Sequence, residues 1–180
     1  MEDKTPKKQR MRRVPRGFEG EEEKNLMAML EAGVIQPLTS PWASPPVLVR
    51  KKDGEVRWCL DFRRLNAVTK KDAFPLPLIS DCIESLAGNR YMSTLDMTSG
   101  YWQIEIHPDE REYTAFITRF GLFEHKRMSM GLCNAACTFQ RAMDLVLRGL
   151  TWKTTLAFLD DVLVLGHDFE DHLKKTFGRF

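Results

Sequence analysis

Several features that would mark a particular class of protein are missing from this 180-residue sequence. No stretch approaches the roughly 18 consecutive apolar residues of a membrane-spanning helix, and the N-terminus has no apolar signal core. Internal repeats and low-complexity tracts are absent as well. With 43% hydrophobic and 29% charged residues, the composition excludes a wholly disordered or fibrous chain. The length allows one domain or two small lobes.

Cysteine is scarce, and its placement argues against a metal or redox motif. The four cysteines form no CxxC pair and have no histidine at ligand spacing. Two of them lie four residues apart and would share a helix face, but two ligands do not make a zinc site. We therefore expect reduced, intracellular thiols at Cys59, Cys82, Cys133 and Cys137.

An excess of one charge sign is also missing, because 27 Lys and Arg residues nearly balance 25 Asp and Glu residues. The charges are unevenly distributed along the chain. The first 16 residues hold seven basic side chains against two acidic ones, so this segment alone is more positive than the whole chain, whose net charge is +2. Such a basic arm is either a solvated, frayed terminus or a contact for phosphate groups.

The pattern of apolar and turn-forming residues predicts short helices mixed with strands. Helices are expected over residues 20–33, 79–86 and 134–150, strands over 91–95 and 103–106, and hairpins over 47–60 and 113–127. Hairpins and irregular alternation favour an α+β fold with an antiparallel sheet, and they argue against a doubly wound parallel sheet.

Two adjacent carboxylates, Asp160 and Asp161, interrupt an apolar run over residues 156–165. Burying an unpaired charge costs several kcal/mol, so either an exposed turn or a metal ion must offset that cost. Asp96 ends another apolar, strand-like segment. If the two strands are neighbours in one sheet, Asp96 and Asp160 can converge on two Mg²⁺ ions, which prefer carboxylate oxygens. Polymerases and nucleases both use such sites, and the acids alone do not distinguish them.

Longer motifs surround these acids. Residues 95–104 read LDMTSGYWQI and residues 158–164 read FLDDVLV, and together they resemble the reverse transcriptases of gypsy-type LTR retrotransposons and, more remotely, of retroviruses. The resemblance continues in order through GVIQP (33–37), SPWASPP (40–46), KKDG (51–54), CLDFRRLN (59–66), FPLP (74–77), TAF (114–116) and TFQ (138–140). It extends from about residue 12 to residue 172 and is far more specific than one Asp-Asp pair.

The resemblance implies the fingers and palm subdomains of a right-hand polymerase, with an antiparallel palm sheet flanked by helices. It predicts a basic arm over 1–17, a fingers-like region over 18–90 with the basic hairpin 47–60, and a palm-like region over 91–172 with a fingers return segment at about 107–130. The family continues into a thumb and usually an RNase H domain. Residues 173–180 are therefore expected to be an atypical end, and the chain a truncated or spliced copy without a thumb.

The resemblance also implies site residues. Asp96, Asp160 and Asp161 match the catalytic aspartates, which bind two Mg²⁺ ions, with Mn²⁺ as a substitute. Asp96 and Asp160 are the expected direct ligands and Asp161 the supporting acid. The backbone carbonyl of Met97 would complete the coordination of one ion.

The expected nucleotide-binding residues surround these acids in the sequence. Tyr101 matches the bulky side chain that excludes a 2′-hydroxyl, so it would select deoxynucleotides. Lys51 and Arg57, on the two arms of the basic hairpin, match the residues that close over the triphosphate. Met130 and Gly131 match positions near the nucleotide and template base, and Met97 is a further expected nucleotide-binding residue.

One loop departs from the family pattern. The family usually reads MPFGLxNAP where residues 128–136 read MSMGLCNAA, so both prolines and the aromatic residue are replaced. Fewer prolines and a flexible methionine predict a looser loop. Asp61 and Arg63 are expected to brace the fingers segment and not to contact substrate.

The implied function is an RNA-directed DNA polymerase fragment that extends a primer 3′-hydroxyl with deoxynucleoside triphosphates. Its expected partners are a primed RNA or DNA template and, in a full-length element, the RNase H, integrase and protease domains of the same polyprotein. No membrane contact is expected, and the expected location is intracellular, either in a cytoplasmic virus-like particle or in the nucleus. The alternative is a truncated, non-catalytic relic that at most binds nucleic acid. A two-metal nuclease would share the acids but leaves the basic hairpin and Tyr101 unexplained.

Overall fold

The computed structural model describes residues 1, 4–50 and 56–178, with backbone only for residues 56 and 57. The chain forms two compact units. Unit 1 comprises Met1–Lys71 and Tyr101–Ala135, and unit 2 comprises Asp72–Gly100 and Ala136–Phe180. These boundaries differ from the expected fingers and palm ranges, which stay predictions.

Helices and strands alternate irregularly along the chain. In chain order they are α1 (Glu19–Glu31), β1 (Ile35–Pro37), β2 (Pro46–Arg50), β3 (Val56–Leu60), α2 (Arg63–Asn66), α3 (Ile79–Ser85), β4 (Tyr91–Asp96), β5 (Phe116–Thr118), β6 (Gly121–His125), α4 (Ala135–Val146), β7 (Thr155–Phe158), β8 (Asp161–Gly166) and α5 (Phe169–Phe177). Short 3₁₀ helices cover Arg16–Phe18, Gly100–Gln103 and Pro108–Thr114. All strand pairs are antiparallel, which confirms the α+β prediction.

Unit 1 contains a three-stranded sheet in the order β1-β6-β5 and the separate β2-β3 hairpin. The helix α1 begins with the acidic residues Glu19, Glu21 and Glu22, which suit the positive end of a helix dipole. It is followed by Gly33, whose φ of 65° is left-handed and favours glycine. Leu26 and Met29 of α1 are buried in a cluster with residues of β1, β5 and β6. The helix predicted over 20–33 is therefore confirmed.

The basic arm is packed against unit 1 over part of its length. Lys8 forms a parallel bridge with Ala43, and the Gln9 amide donates a hydrogen bond of 2.9 Å to the Ala43 carbonyl. Arg12 forms an ion pair of 2.5 Å with Asp61. Residues 7–12 are therefore not a frayed terminus, because their backbone and one guanidinium are fixed to the unit.

Unit 2 is built on the sheet β4-β8-β7. Strands β7 and β8 carry buried apolar residues, among them Leu156, Val162 and Val164. The helix α4 buries Phe139 and Met143. The helix α5 contacts β8 and β4, and Ser93 Oγ of β4 lies 2.8 Å from Nε2 of His172 of α5.

The predicted strand over residues 103–106 is wrong. Gly100–Gln103 is a 3₁₀ helix, and Glu105 forms only an isolated bridge with Arg127. The burial alternates as in a strand, because Ile104 and Ile106 are half-buried and Glu105 is exposed. A ladder does not continue, since Pro108 has no N–H group and begins the next 3₁₀ helix.

Other elements agree with the sequence patterns or were not predicted. The structure confirms both predicted hairpins, the strand near 91–95 and the helix near 79–86. Residues 51–55 of the first hairpin lie outside the described residues. The helix α4 is shorter than predicted, and α5 was not predicted. In the described part of the chain, no helix has both the length and the hydrophobicity needed to span a bilayer.

Candidate active site

Two predicted catalytic aspartates lie directly opposite each other in unit 2. The antiparallel register of β4 and β8 pairs Asp96 with Asp161. Directly paired residues lie on the same face of a sheet with Cβ atoms about 4.5–5.5 Å apart, and like charges at such positions repel each other. A cation at this end of the sheet would relieve that repulsion.

Asp160 lies in the turn that joins β7 to β8, next to Leu159. The Met97 amide donates a hydrogen bond of 3.4 Å to the Asp160 carbonyl, so the turn is tied to the end of β4. Asp96, Asp160 and Asp161 are called the acid triad below. The register and this turn thus bring all three acids to one end of the sheet, and the convergence of Asp96 and Asp160 on two Mg²⁺ ions stays a prediction.

The acid triad is open to solvent. Asp96 and Asp161 are exposed and Asp160 is half-buried. Within the described part of the chain, none of the three carboxylates forms an ion pair with a lysine, arginine or histidine. Water therefore limits the cost of the three charges, which leaves them available to a cation.

The triad is suited to a hard cation that keeps part of its water shell, and it does not enclose the ion. Among the described residues, no three His, Cys, Asp or Glu side chains lie close enough together to enclose a metal ion. Mg²⁺ in proteins usually keeps several waters and uses one or two carboxylates, which suits paired and exposed acids. The Met97 carbonyl accepts a hydrogen bond of 3.1 Å from the Gly100 amide and retains a second lone pair.

Gln140 of α4 holds the turn that carries the acids. Gln140 is 0% exposed to solvent. Its Oε1 accepts a hydrogen bond of 2.9 Å from the Leu159 amide, and its Nε2 donates to the Ala157 carbonyl at 3.2 Å. Nε2 also donates to Asp144 Oδ1 at 3.0 Å. One buried side chain therefore binds both the end of β7 and the turn.

The turn that Gln140 holds has an unfavourable backbone. Leu159 has a φ of 56°, in the left-handed region that costs a non-glycine residue roughly 1–2 kcal/mol. Such a conformation persists where the surrounding structure fixes it. The hydrogen bond from the Leu159 amide to Gln140 supplies part of that fixation.

Gly100 allows a close approach behind Asp160. A Cβ atom at Gly100 would lie 3.0 Å from Phe139 Cζ and 3.4 Å from Asp160 Cβ. The first distance is shorter than ordinary carbon contacts, so a side chain here would push on the ring or on the acid-bearing turn.

The sequence patterns alone indicate no role for Gln140 or Gly100. Both lie inside quoted motifs, TFQ and LDMTSGYWQI, but no spacing rule connects them to Asp160. One available signal was the polar Gln140 beside the apolar Phe139 and Met143 on a helix, since a buried amide needs hydrogen-bond partners.

Two predicted nucleotide-binding residues of unit 1, Met130 and Gly131, lie in one loop. Met130 is 62% exposed, and Gly131 has a φ of 89°, which requires glycine or a strained residue. The Asn66 side chain donates to the Gly131 carbonyl at 2.8 Å and accepts from the Cys133 amide at 2.9 Å. These two bonds fix a loop that lacks the family's prolines.

The remaining predicted nucleotide-binding residues are described only in part. Tyr101 is half-buried in the 3₁₀ helix Gly100–Gln103. The backbone of Arg57 pairs with Val49 in the β2-β3 hairpin. Lys51 lies outside the described residues.

Asp61 braces unit 1 as expected. Its carboxylate accepts hydrogen bonds of 2.8 Å from Arg63 Nε and Nη2 and of 2.5 Å from Arg12 Nη2. The bond from Arg63 is the main cause that holds the pKa of Asp61 well below its usual range, although burial opposes it. Asp61 therefore stays ionised and links the basic arm to α2.

A sequence model of the family described as "Reverse transcriptase (RNA-dependent DNA polymerase)" matches residues 49–177, well over half of the chain. The chain belongs to the reverse transcriptase family. The match contains the whole acid triad, and it reaches into α5. Residues 173–177, which were expected to be an atypical end, thus fall within the family match.

Curated relatives of this family member are polyproteins of transposons. The chain is 38% identical over 165 residues to the retrovirus-related Pol polyprotein from transposon opus of Drosophila melanogaster, covering 89% of this chain and 16% of that protein. It is 37% identical over 152 residues to the corresponding polyprotein from transposon gypsy of the same species, covering 81% and 15%. The predicted family is confirmed, and the chain spans about a sixth of the length of these relatives.

Solved reverse transcriptase structures share the fold. The foamy viral protease-reverse transcriptase in complex with an RNA/DNA hybrid matches with a TM-score of 0.86 and 23% identity, covering 94% of this chain and 22% of that one. The same enzyme in complex with double-stranded DNA gives a TM-score of 0.87 and 23% identity, covering 96% and 30%. These matches support the predicted fold class of a polymerase palm and fingers fragment.

Proposed function

We propose that this chain carries catalytic residues of an RNA-directed DNA polymerase that extends a primer 3′-hydroxyl on an RNA or DNA template. The supporting observation is the register of β4 and β8, which pairs Asp96 with Asp161 beside the turn that holds Asp160, in a member of the reverse transcriptase family. The nucleotides, the template and the partner domains of a polyprotein belong to the proposal, because the chain spans 16% of the opus relative.

In this proposal Asp96 and Asp160 are direct ligands of two Mg²⁺ ions, or of Mn²⁺ in their place, and Asp161 supports them. Two bound divalent ions supply acidification of the primer hydroxyl and neutralisation of charge on the leaving pyrophosphate. The chain's own contribution is to hold the carboxylates ready, because Gln140 fixes the turn before any substrate binds. The Met97 carbonyl is the proposed additional oxygen ligand.

We assign nucleotide contacts to residues of unit 1 on the strength of the family pattern. Tyr101 would exclude a ribose 2′-hydroxyl, and Lys51 and Arg57 would neutralise the triphosphate. Met130 and Gly131 would contact the nucleotide or template base, and the exposure of Met130 is compatible with that role.

Primer extension on an RNA template with Mg²⁺ tests the proposal. The chain should incorporate deoxynucleotides, and an Asp160→Asn, Asp161→Asn variant should give only background. A matched control is Asp109→Asn, Glu110→Gln, which removes another pair of adjacent, exposed acids and should keep full activity. Background incorporation by all three proteins would contradict the proposed function.

A second candidate function is binding of nucleic acid without catalysis. The basic arm of unit 1 favours it, because its backbone is fixed to the unit and a fixed backbone loses less entropy when its side chains bind phosphate. It predicts a steep dependence of binding on salt, with no incorporation in Mg²⁺ or Mn²⁺.

A further inference from the structure

The sheet of unit 2 has an open edge at β4. One side of β4 pairs with β8, and no strand of the described chain pairs with its other side. Five of the six residues of β4 are exposed, whereas three of the four residues of β7, at the opposite edge of the sheet, are buried. Proteins usually protect such edges with lysine, proline or a covering segment, because unpaired N–H and C=O groups bind other strands. The β4 sequence, YMSTLD, contains neither residue.

The residues of β4 complement themselves when a second copy of the strand lies antiparallel to the first. A two-fold axis perpendicular to the sheet at Ser93 keeps equivalent faces of both copies on the same side, because side chains alternate between the faces. This register places Tyr91 opposite Leu95 of the second copy. It also places Met92 opposite Thr94 of the second copy. Opposed side chains lie close enough to pack, so the two Tyr91–Leu95 pairs bury apolar surface on both strands.

The same register joins opposite charges at its two ends. Arg90, which precedes β4, lies opposite Asp96 of the second copy, and the two-fold axis repeats this pair. Both residues are exposed, and neither forms an ion pair within the described part of the chain. Opposite charges at directly opposed positions stabilise an antiparallel pair. A register shifted by two residues would oppose Asp96 to Met92 and lose both charge pairs, so charge complementarity favours the register centred on Ser93.

An exposed apolar side of α5 adjoins the open edge. Phe169, Leu173 and Phe177 recur every four residues and therefore share one side of this helix, and all three are exposed. The ring centroids of Phe169 and Tyr91 lie 5.8 Å apart. Phe169 is thus beside the strand that a second copy would contact, which adds apolar area to that of the strand edge.

We propose that β4 pairs with β4 of a second copy of this chain, in an antiparallel register centred on Ser93 that joins the two three-stranded sheets. Arg90 of the second copy then lies at the acid triad, opposite Asp96. A strand edge and one side of a short helix make a small interface, so we expect a weak dimer with a Kd of about 10–100 μM. This inference does not rest on the proposed function, because strand pairing requires no metal, nucleotide or catalysis.

Sedimentation equilibrium of the full chain, in EDTA and without nucleic acid, tests the inference. The original chain should pass from monomer to dimer between about 1 and 300 μM, a range that spans the expected Kd. Leu95→Lys removes the partner of Tyr91 and places a charge on the edge, so its dimer should be at least about tenfold weaker. The matched control is Leu145→Lys, which replaces an exposed leucine of α4 and should keep the original Kd.

The charge pairs are tested by exchange between two variants, Arg90→Asp and Asp96→Arg. Each variant alone places like charges opposite each other at both ends of the register, so its dimer should be at least about tenfold weaker than that of the original chain. An equimolar mixture of the two variants restores opposite charges at both ends. The mixed dimer should therefore form with an affinity close to the original, which also shows that both variants are folded.

A chain that stays monomeric throughout the concentration range would overturn the inference. Equal affinities of Leu95→Lys and the original chain would do the same, because the contact would then lie elsewhere. A mixture of the charge variants that associates no better than either variant alone would contradict the register. Since no metal or nucleotide is present, failure of primer extension would leave these results unchanged, and the two failures are distinguishable.

Discussion

Asp61 of unit 1 and the acid triad of unit 2 lie in opposite electrostatic environments. In unit 1, the Asp61 side chain is 4% exposed and bonds two guanidinium groups. In unit 2, the acid triad lies at the end of a sheet, with two members exposed and none in an ion pair with a described basic residue. The first arrangement stabilises the unit that contains it. The second leaves charges uncompensated, which contributes little to folding and provides ligands for a cation.

The comparison teaches that a carboxylate's surroundings indicate its role better than its sequence motif does. Asp61 and the acid triad all lie in motifs of the same family pattern. The two kinds of acid differ in their partners. Asp61 is bound by Arg12 of the arm and Arg63 of α2, whereas the acid triad forms no ion pair with a described basic residue. This difference separates a structural acid from a candidate catalytic one. Substitutions in both units test this distinction.

The largest effect is expected from Asp96→Asn. Loss of a proposed metal ligand should lower primer extension by about a thousandfold, since several kcal/mol of charge stabilisation disappear from the transition state. Thermal stability should stay equal or rise slightly, because the substitution removes the repulsion from Asp161. Extension assays and thermal melts measure the two effects. A clear fall in melting temperature would place Asp96 with the structural acids and break the comparison.

Gln140→Met should follow in size. It removes the buried hydrogen bonds to the Leu159 amide and the Ala157 carbonyl. The free energy of unfolding should fall by about 3 kcal/mol. Primer extension should also be lower, even at temperatures far below the melting temperature of the variant. Met143→Ala is the matched control, because it destabilises the same helix by about 2–5 kcal/mol and leaves the hydrogen bond from the Leu159 amide to Gln140 in place. Equal residual activity of the two variants at equal stability would show that Gln140 only stabilises the helix.

Asp61→Asn should lower stability by about 2 kcal/mol, through weaker hydrogen bonds to Arg63 and Arg12. The folded-state pKa of Asp61 is depressed, so its contribution is present above the unfolded pKa of about 4 and is lost as pH falls below it. Urea melts at pH 7 and pH 3 should therefore differ less for the variant than for the original chain. An unchanged difference would mean that Asp61 does not stabilise unit 1.

The smallest effect on stability at neutral pH is expected from His125→Phe. This substitution tests a buried titratable group that has no partner in the described part of the chain, in contrast to Asp61. His125 is 2% exposed, and neither ring nitrogen has a hydrogen-bond partner among the described residues. Burial lowers the pKa of His125 to about 4, so the native state resists protonation that the unfolded chain accepts at about 6.5.

Stability from neutral His125 is therefore complete above pH 6.5 and falls by about 1.4 kcal/mol per pH unit down to pH 4. The phenylalanine variant should lose this slope and gain stability at pH 5, as urea melts across that range would show. An identical slope in both proteins would assign the pH dependence to other groups.

Much of the fold was predictable because local patterns encode it. The acidic start of α1 and Gly33 after its end, the hairpin 47–60, and the strand over 91–95 are visible in the sequence and confirmed. The strand predicted over 103–106 is wrong, because alternating burial also arises where a segment lies beside a strand without forming a ladder with it. The helix α5 was missed although Asp168 caps it, since residues 173–177, its second half, were interpreted as part of an atypical end.

The family and the residues that carry acid chemistry were predictable from the sequence, because both depend on residue type and order along the chain. Only the tertiary structure decided which acids are open and which are bound, that Gln140 fastens the turn before Asp161, and that the basic arm is fixed to unit 1. Those facts depend on contacts between residues about 20 to 50 positions apart in the chain. No local pattern records such contacts, since burial and pairing arise only when distant segments pack together.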